Sequence, residues 1–121
     1  MKTTVAGLCG ALAMLWVAPV FADGQGVFEN VCAKCHRSGL LGAPIAGNRA
    51  AWEPRVKLGL EGLYKSALLG KNDMPAKGGK DRLSPEEVRA AVDYLVGLAG
   101  LTQEAESAKA AAGEAGDRTP R

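Results

Sequence analysis

The sequence has one histidine, His36, and six aromatic residues, two each of Phe, Trp and Tyr, in 121 positions. That scarcity closes off several chemistries. A zinc site takes about four protein ligands. His36 and the cysteines supply three at best, from consecutive turns, because Cys9 sits in a segment expected to be removed. No run has convincing strand character, so the βαβ context in which a C-x-x-C pair acts as a thioredoxin-like dithiol is missing. Neither sign of charge dominates: 15 Lys and Arg face 13 Asp and Glu, a formal net charge of +2. With no strong basic patch, nucleic acid is not an expected partner.

The one histidine closes the segment Cys32-Ala33-Lys34-Cys35-His36, which is C-x-x-C-H, the attachment signature of c-type haem. Two thiols three positions apart lie on one side of a helical turn, so each can add to one porphyrin vinyl group. The histidine next in line turns its imidazole to the iron on the proximal face. The expected cofactor is therefore one covalent haem c. With Cys32 and Cys35 consumed as thioethers, no disulfide is expected, even in an oxidising compartment.

The N-terminus reads as an export signal. Lys2 is followed by a run, Val5 to Val17, that is apolar except for small glycines and Cys9. Val20 and Ala22 then stand three and one positions before a cut after Ala22. The expected organisation is a signal peptide over 1–22, a single haem domain over 23–100 and a disordered Ala/Gly/Glu-rich tail over 101–121. The alternative for the leader is an uncleaved anchor, but the apolar run is short for the about 20 residues that a span needs. A core this small is marginal on apolar burial alone, and a buried porphyrin would supply what it lacks.

Asp23 is a reasonable N-cap, and Val27, Phe28, Val31, Cys32 and Cys35 fall on one helical face that carries the attachment cysteines. Gly24, one turn before Phe28, permits close approach of another helix. Positions 38–48 form a loop punctuated by Gly39, Gly42, Pro44 and Gly47. A ligating histidine donates its other ring N–H to an acceptor, and the Pro44 carbonyl is the candidate; a plain turn proline is the alternative. Asn48 can cap a short turn through Trp52, with a helix restarting near Glu53-Pro54 and running to Leu58. The Trp52 indole N–H wants a partner when buried, and a haem propionate would serve. Arg55 can neutralise the same group. Core packing and solvated charge are the alternatives.

A helix over 60–69 ends at Gly70. The loop that follows, Lys71-Asn72-Asp73-Met74-Pro75-Ala76-Lys77-Gly78-Gly79, holds Met74, the sole methionine after the leader. A lone thioether in a polar loop is the candidate distal ligand, soft and neutral, favouring ferrous iron; a gap-filling Met is the alternative. Lys71, Lys77, Lys80 and Arg82 cluster here, either as solvated surface or as a rim for an acidic redox partner. Ser84-Pro85-Glu86-Glu87 starts a helix with N-cap, proline and capping box. Its apolar face is Val88, Ala91, Val92, Leu95 and Ala99, expected to cross the first helix near Gly24 and Phe28. From Leu101 few residues can bury area, so disorder or a frayed helix is expected.

With these pieces placed, the chain resembles a class I cytochrome c and is most similar to the bacterial cytochrome c5 group. The resemblance rests on Cys32-Ala33-Lys34-Cys35-His36, Gly42-Ala43-Pro44, Ala50-Ala51-Trp52-Glu53-Pro54-Arg55, Met74-Pro75-Ala76-Lys77-Gly78-Gly79 and Ala90-Ala91-Val92-Asp93-Tyr94. It implies an all-α fold, three to five helices around one haem, with His36 and Met74 as axial ligands. It also implies haem attachment outside the cytoplasmic membrane and one-electron transfer in the periplasm, without enzymatic chemistry. By the same analogy Pro44 holds His36, and Trp52 and Arg55 lie near the propionates. One departure stands out: many such proteins carry a second cysteine pair after the double glycine, where this chain has Lys80-Asp81-Arg82-Leu83. The expected partners are redox proteins that dock transiently on a monomer, with membrane contact only through partner complexes or an uncleaved leader. The competing readings are a haem subunit of a larger oxidoreductase, and a sensor or enzyme with an open sixth site.

Overall fold

The computed structural model describes residues 21–115. All but the last two residues of the expected leader therefore lie outside the described residues. Five helices form the described chain, and it contains no β-strand beyond a single bridge between Lys71 and Met74.

Helix α1 begins where the Asp23 carboxylate accepts the Gly26 N–H at 2.9 Å. It runs without interruption through α-helical Gly24–Val27, a π-helical turn Phe28–Cys32 and α-helical Ala33–His36. The π turn inserts extra arc between Phe28 and the attachment residues. It divides the single expected face into two. Phe28 is buried against Tyr94, ring centroids 5.4 Å apart, while Cys32, Cys35 and His36 look into a cavity.

Asn48 caps α2, Arg49–Val56, by accepting the Ala51 N–H. The expected break before Pro54 does not occur. A proline removes one backbone donor but has a helical φ, and Pro54 is exposed, so the short helix runs through it. Helix α3 spans Gly59–Leu69. Helix α4, Pro85–Leu98, has the full capping box: Ser84 Oγ accepts the Glu87 N–H and the Glu87 carboxylate accepts the Ser84 N–H. Its buried face is Val88, Ala91, Val92, Leu95 and Val96. Tyr64 of α3 donates its hydroxyl proton to Asp93 of α4. Burial first, and the carboxylate second, push the Tyr64 phenol well above its usual range.

The chain does not fall into disorder at residue 101. Gly100, at φ 69, reverses it, and α5, Thr102–Ala115, folds back. Leu101 and Ala105 are both 0% exposed. Arg49 fastens the corner, donating to the Gly100 carbonyl and to the Glu104 and Glu53 carboxylates. Leu101 and Ala105 pack into the core while Arg49 bonds the corner, and two apolar residues are too few to be legible as a helix signal.

Helices α1 and α4 cross at Gly24, where a Cβ would lie 2.1 Å from the carbonyl oxygen of Ala90. That atom is backbone and cannot swing aside. Gly24→Ala is expected to push the two helices apart and destabilise the holoprotein by about 1–3 kcal/mol. Denaturant unfolding followed by helical circular dichroism measures this; an unchanged midpoint would refute the close crossing.

Candidate haem site

The site begins with how His36 is held. Its Nδ1 lies 2.8 Å from the Pro44 carbonyl oxygen. A carbonyl only accepts, so Nδ1 carries the proton and Nε2 keeps its lone pair for a metal. The loop that brings Pro44 into place turns through Gly39 at φ 73 and Gly42 at φ 78, and returns the Ala46 N–H to the His36 carbonyl at 2.6 Å. The ring itself is buried, 7% exposed.

Met74 approaches from α3. Lys71 and Met74 exchange backbone hydrogen bonds of 3.0 and 2.9 Å around a tight turn with Asn72 at φ 52. The segment lies directly on Gly70, where a Cβ would sit 2.8 Å from the Met74 carbonyl oxygen. Gly70 has φ 82, so both its conformation and the lack of space exclude a side chain there. The Met74 side chain is half-buried and packs against the core.

Cys32, Cys35, His36 and Met74 line one cavity of about 660 Å³, together with Leu63, Ala67, Val92 and Leu95 of the core and with Pro44, Trp52 and Arg55. Cys32 and Cys35 are not joined to each other as a disulfide. Burial, and then the neighbouring Cys35, raise the Cys32 thiol above its ordinary pKa. Among the described residues no group of three or more His, Cys, Asp or Glu is placed to hold a bare metal ion. The arrangement fits a covalently held haem. Two cysteine sulfurs, an imidazole with one nitrogen committed, and a thioether open on a largely apolar cavity, within the 300–1,000 Å³ or so typical of ligand sites.

Two expectations change in detail. Trp52 is at the cavity, its ring 5.8 Å from that of His36, but its indole N–H donates to the Ile45 carbonyl at 3.0 Å. It anchors the loop and has no proton left for a propionate, since indole has a single donor. Arg55 gives one of its N–H groups to the Ala51 carbonyl and stands exposed at the cavity edge. Lys77 is not a free rim charge: its amine is turned inward to backbone carbonyls. Sequence reasoning identified the need for a Trp52 partner but not Ile45, because only the folded loop brings that carbonyl to the ring.

A family model described as cytochrome C oxidase, cbb3-type, subunit III, matches residues 19–95. Cytochrome c-555 of Chlorobaculum tepidum is 41% identical over 80 residues, covering 63% of this chain and 74% of its own length. Cytochrome c5 of Azotobacter vinelandii is 43% identical over 78 residues, covering 63% of this chain and 94% of its own. A chain in the crystal structure of an electron transfer complex of nitrite reductase with cytochrome c superimposes with a TM-score of 0.60 at 36% identity, covering 63% of this chain and 93% of that one.

The chain belongs to the class I c-type cytochromes. This cytochrome accordingly binds haem c covalently, the Cys32 and Cys35 pair supplying the attachment motif. It is an electron carrier and not an enzyme.

The Trp52 geometry has a measurable consequence. Trp52→Phe keeps an aromatic wall and removes the donor to Ile45, whose carbonyl still accepts the Asn48 N–H, so the loss is that of one internal hydrogen bond, about 0.5–1.5 kcal/mol. Chemical denaturation of the holoprotein should show that loss, with the reduction potential essentially unchanged. A stability equal to the parent's, with a shifted potential, would mean that the indole serves the haem instead.

Proposed function

We propose that this cytochrome is a periplasmic one-electron carrier in which His36 and Met74 fill both axial positions of the haem iron. One observation carries the reading: His36, with Nδ1 committed to Pro44, and Met74 line the same cavity as both attachment cysteines. Bound there, haem c supplies one-electron cycling between ferric and ferrous iron. Cys32 and Cys35 hold the ring. His36 presents Nε2, oriented by Pro44. Met74 presents a thioether, which favours the ferrous state. The side chains of Leu63, Val92 and Leu95 keep water from the interior face, and with both axial positions taken no small substrate has a place to bind.

The periplasmic placement rests on the leader read at 1–22, with the mature chain beginning at Asp23. The haem domain then extends past residue 100, because Leu101 and Ala105 complete its core. Among the described residues no helix is long and apolar enough to cross a membrane. Docking to a redox protein is supported by the structural relative, a cytochrome c in complex with nitrite reductase. Leu40, Leu41 and Leu58 are exposed at the cavity edge, which also carries the exposed charges Lys71, Asp73 and Arg55. A second reading, a haem subunit of a larger oxidoreductase, is favoured by the wording of the matching family model. A stable complex on purification from the native membrane would support it, and a freely released protein would not.

Absorption spectra of the holoprotein in both oxidation states test the ligation. The expected ferric spectrum is low-spin with the weak far-red sulfur-to-iron band, and Met74→Ala loses that band. A high-spin spectrum of the parent, or ready binding of carbon monoxide by its ferrous form, would mean an open sixth position and would remove the carrier mechanism stated here.

A further inference from the structure

Lys77 lies in the turn Ala76–Gly79 that follows Met74 and Pro75. Its backbone is left-handed, φ 54 and ψ 29, a conformation in which Cβ crowds the carbonyl of an L residue. Gly78 and Gly79 continue at φ 61 and 84, where glycine has no such difficulty. A strained non-glycine residue persists only where its surroundings hold it. Here the side chain itself does so. Lys77 Nζ donates to the Leu83 carbonyl at 2.8 Å and to the Asp81 carbonyl at 3.3 Å.

These two bonds close a ring in the chain. Asp81 and Leu83 lead into α4, whose cap is Ser84, while Lys77 is three residues past Met74. Backbone bonds from Lys80 N–H to the Lys77 carbonyl and from Leu83 N–H to the Lys80 carbonyl fold the same segment. Among the described residues no carboxylate is ion-paired with Lys77. The ammonium is half-buried and bonded to neutral carbonyls, and bonds from a charged donor are about twice as strong as neutral ones. On its inner side Lys77 shares a narrow cleft with Met74, Leu83 and His36. The turn also sits tightly on α1: a Cβ at Gly78 would lie 2.7 Å from Val31 Cγ1, one residue before Cys32.

We infer that Lys77 is a positioning residue for Met74, its ammonium clasping the end of the loop so that the thioether does not leave the iron. The inference rests on the His36/Met74 ligation proposed above. In a chain with no second cysteine pair in this loop, the clasp is non-covalent and depends on one protonated amine.

The test is competition by imidazole for the ferric holoprotein, which requires Met74 to move away, read as loss of the far-red band. Lys77→Gln is expected to bind imidazole about tenfold more tightly than the parent, and Lys77→Arg, which keeps charge and donors, to stay within about threefold of it. Leu101→Val is the control: it weakens the core beneath α5, lowers the melting temperature and leaves imidazole affinity unchanged. Parental affinity in Lys77→Gln overturns the inference. So does a Leu101→Val variant whose affinity rises as much, since the effect would then be general loosening. If Lys77→Gln does not accumulate with haem, Lys77→Arg decides: near-parental affinity supports the clasp and a tenfold change overturns it. A parent without the far-red band overturns the ligation reading, and this inference with it, whatever the variants do.

Discussion

The hydrogen bond from His36 Nδ1 to the Pro44 carbonyl organises the rest of the site. Its direct contribution to stability is ordinary, about 1 kcal/mol for a typical internal bond. Its effect on geometry is larger. It fixes the tautomer, and so fixes which nitrogen is left for a metal. To deliver that carbonyl the loop must turn back within eight residues of His36, through left-handed backbone at Gly39, Leu41 and Gly42. The next carbonyl, Ile45, takes the Trp52 indole and ties α2 to the same loop. Adjacent carbonyls thus orient the His36 ring and anchor a helix.

The second constraint is size. Leu63, Ala67, Val92 and Leu95 belong to the core and also line the cavity. Phe28, Val96 and Leu101 are buried away from the cavity, but much of the remaining apolar interior faces it. With two Phe, two Trp and two Tyr in the whole sequence, the large flat apolar object at its centre is the cofactor. Leu63, Ala67, Val92 and Leu95 therefore serve the folded core and the cavity wall together. The close crossing of α1 and α4 at Gly24 brings the two ends of the haem domain together so that these few residues can surround the site.

The two sides of the cavity are built differently. The His36 side is a helix end braced by a glycine-turned loop and an indole. The Met74 side is a strained loop, with Asn72 and Lys77 in left-handed backbone, seated on Gly70 and Val31 where no further atoms fit. Exposed charge and internal charge separate there as well. Lys71 and Lys80 are exposed, while the Lys77 amine is spent on carbonyls of its own loop.

Residue type and spacing determined the chemistry of this protein. Cys32, Cys35 and His36 name haem c because thioether formation needs that local spacing, and local spacing is written directly in sequence. The caps at Asp23, Asn48 and Ser84, and the buried face of α4, were legible for the same reason: each involves residues within a few positions of one another. Pro44 was identifiable as an acceptor because a ligating histidine needs one and the loop held few rigid candidates. Tertiary structure alone decided matters that turn on residues far apart or on accumulated geometry. The π turn in α1 separates Phe28 from the cysteines, yet no residue announces it. The Trp52 donor goes to Ile45, a carbonyl seven positions away that only the folded loop brings to the ring. Residues 101–108 read as tail because two apolar side chains do not signal a helix; they are held because Arg49, about fifty positions earlier, meets Gly100 and Glu104 at a surface that exists only once α3 and α4 have packed.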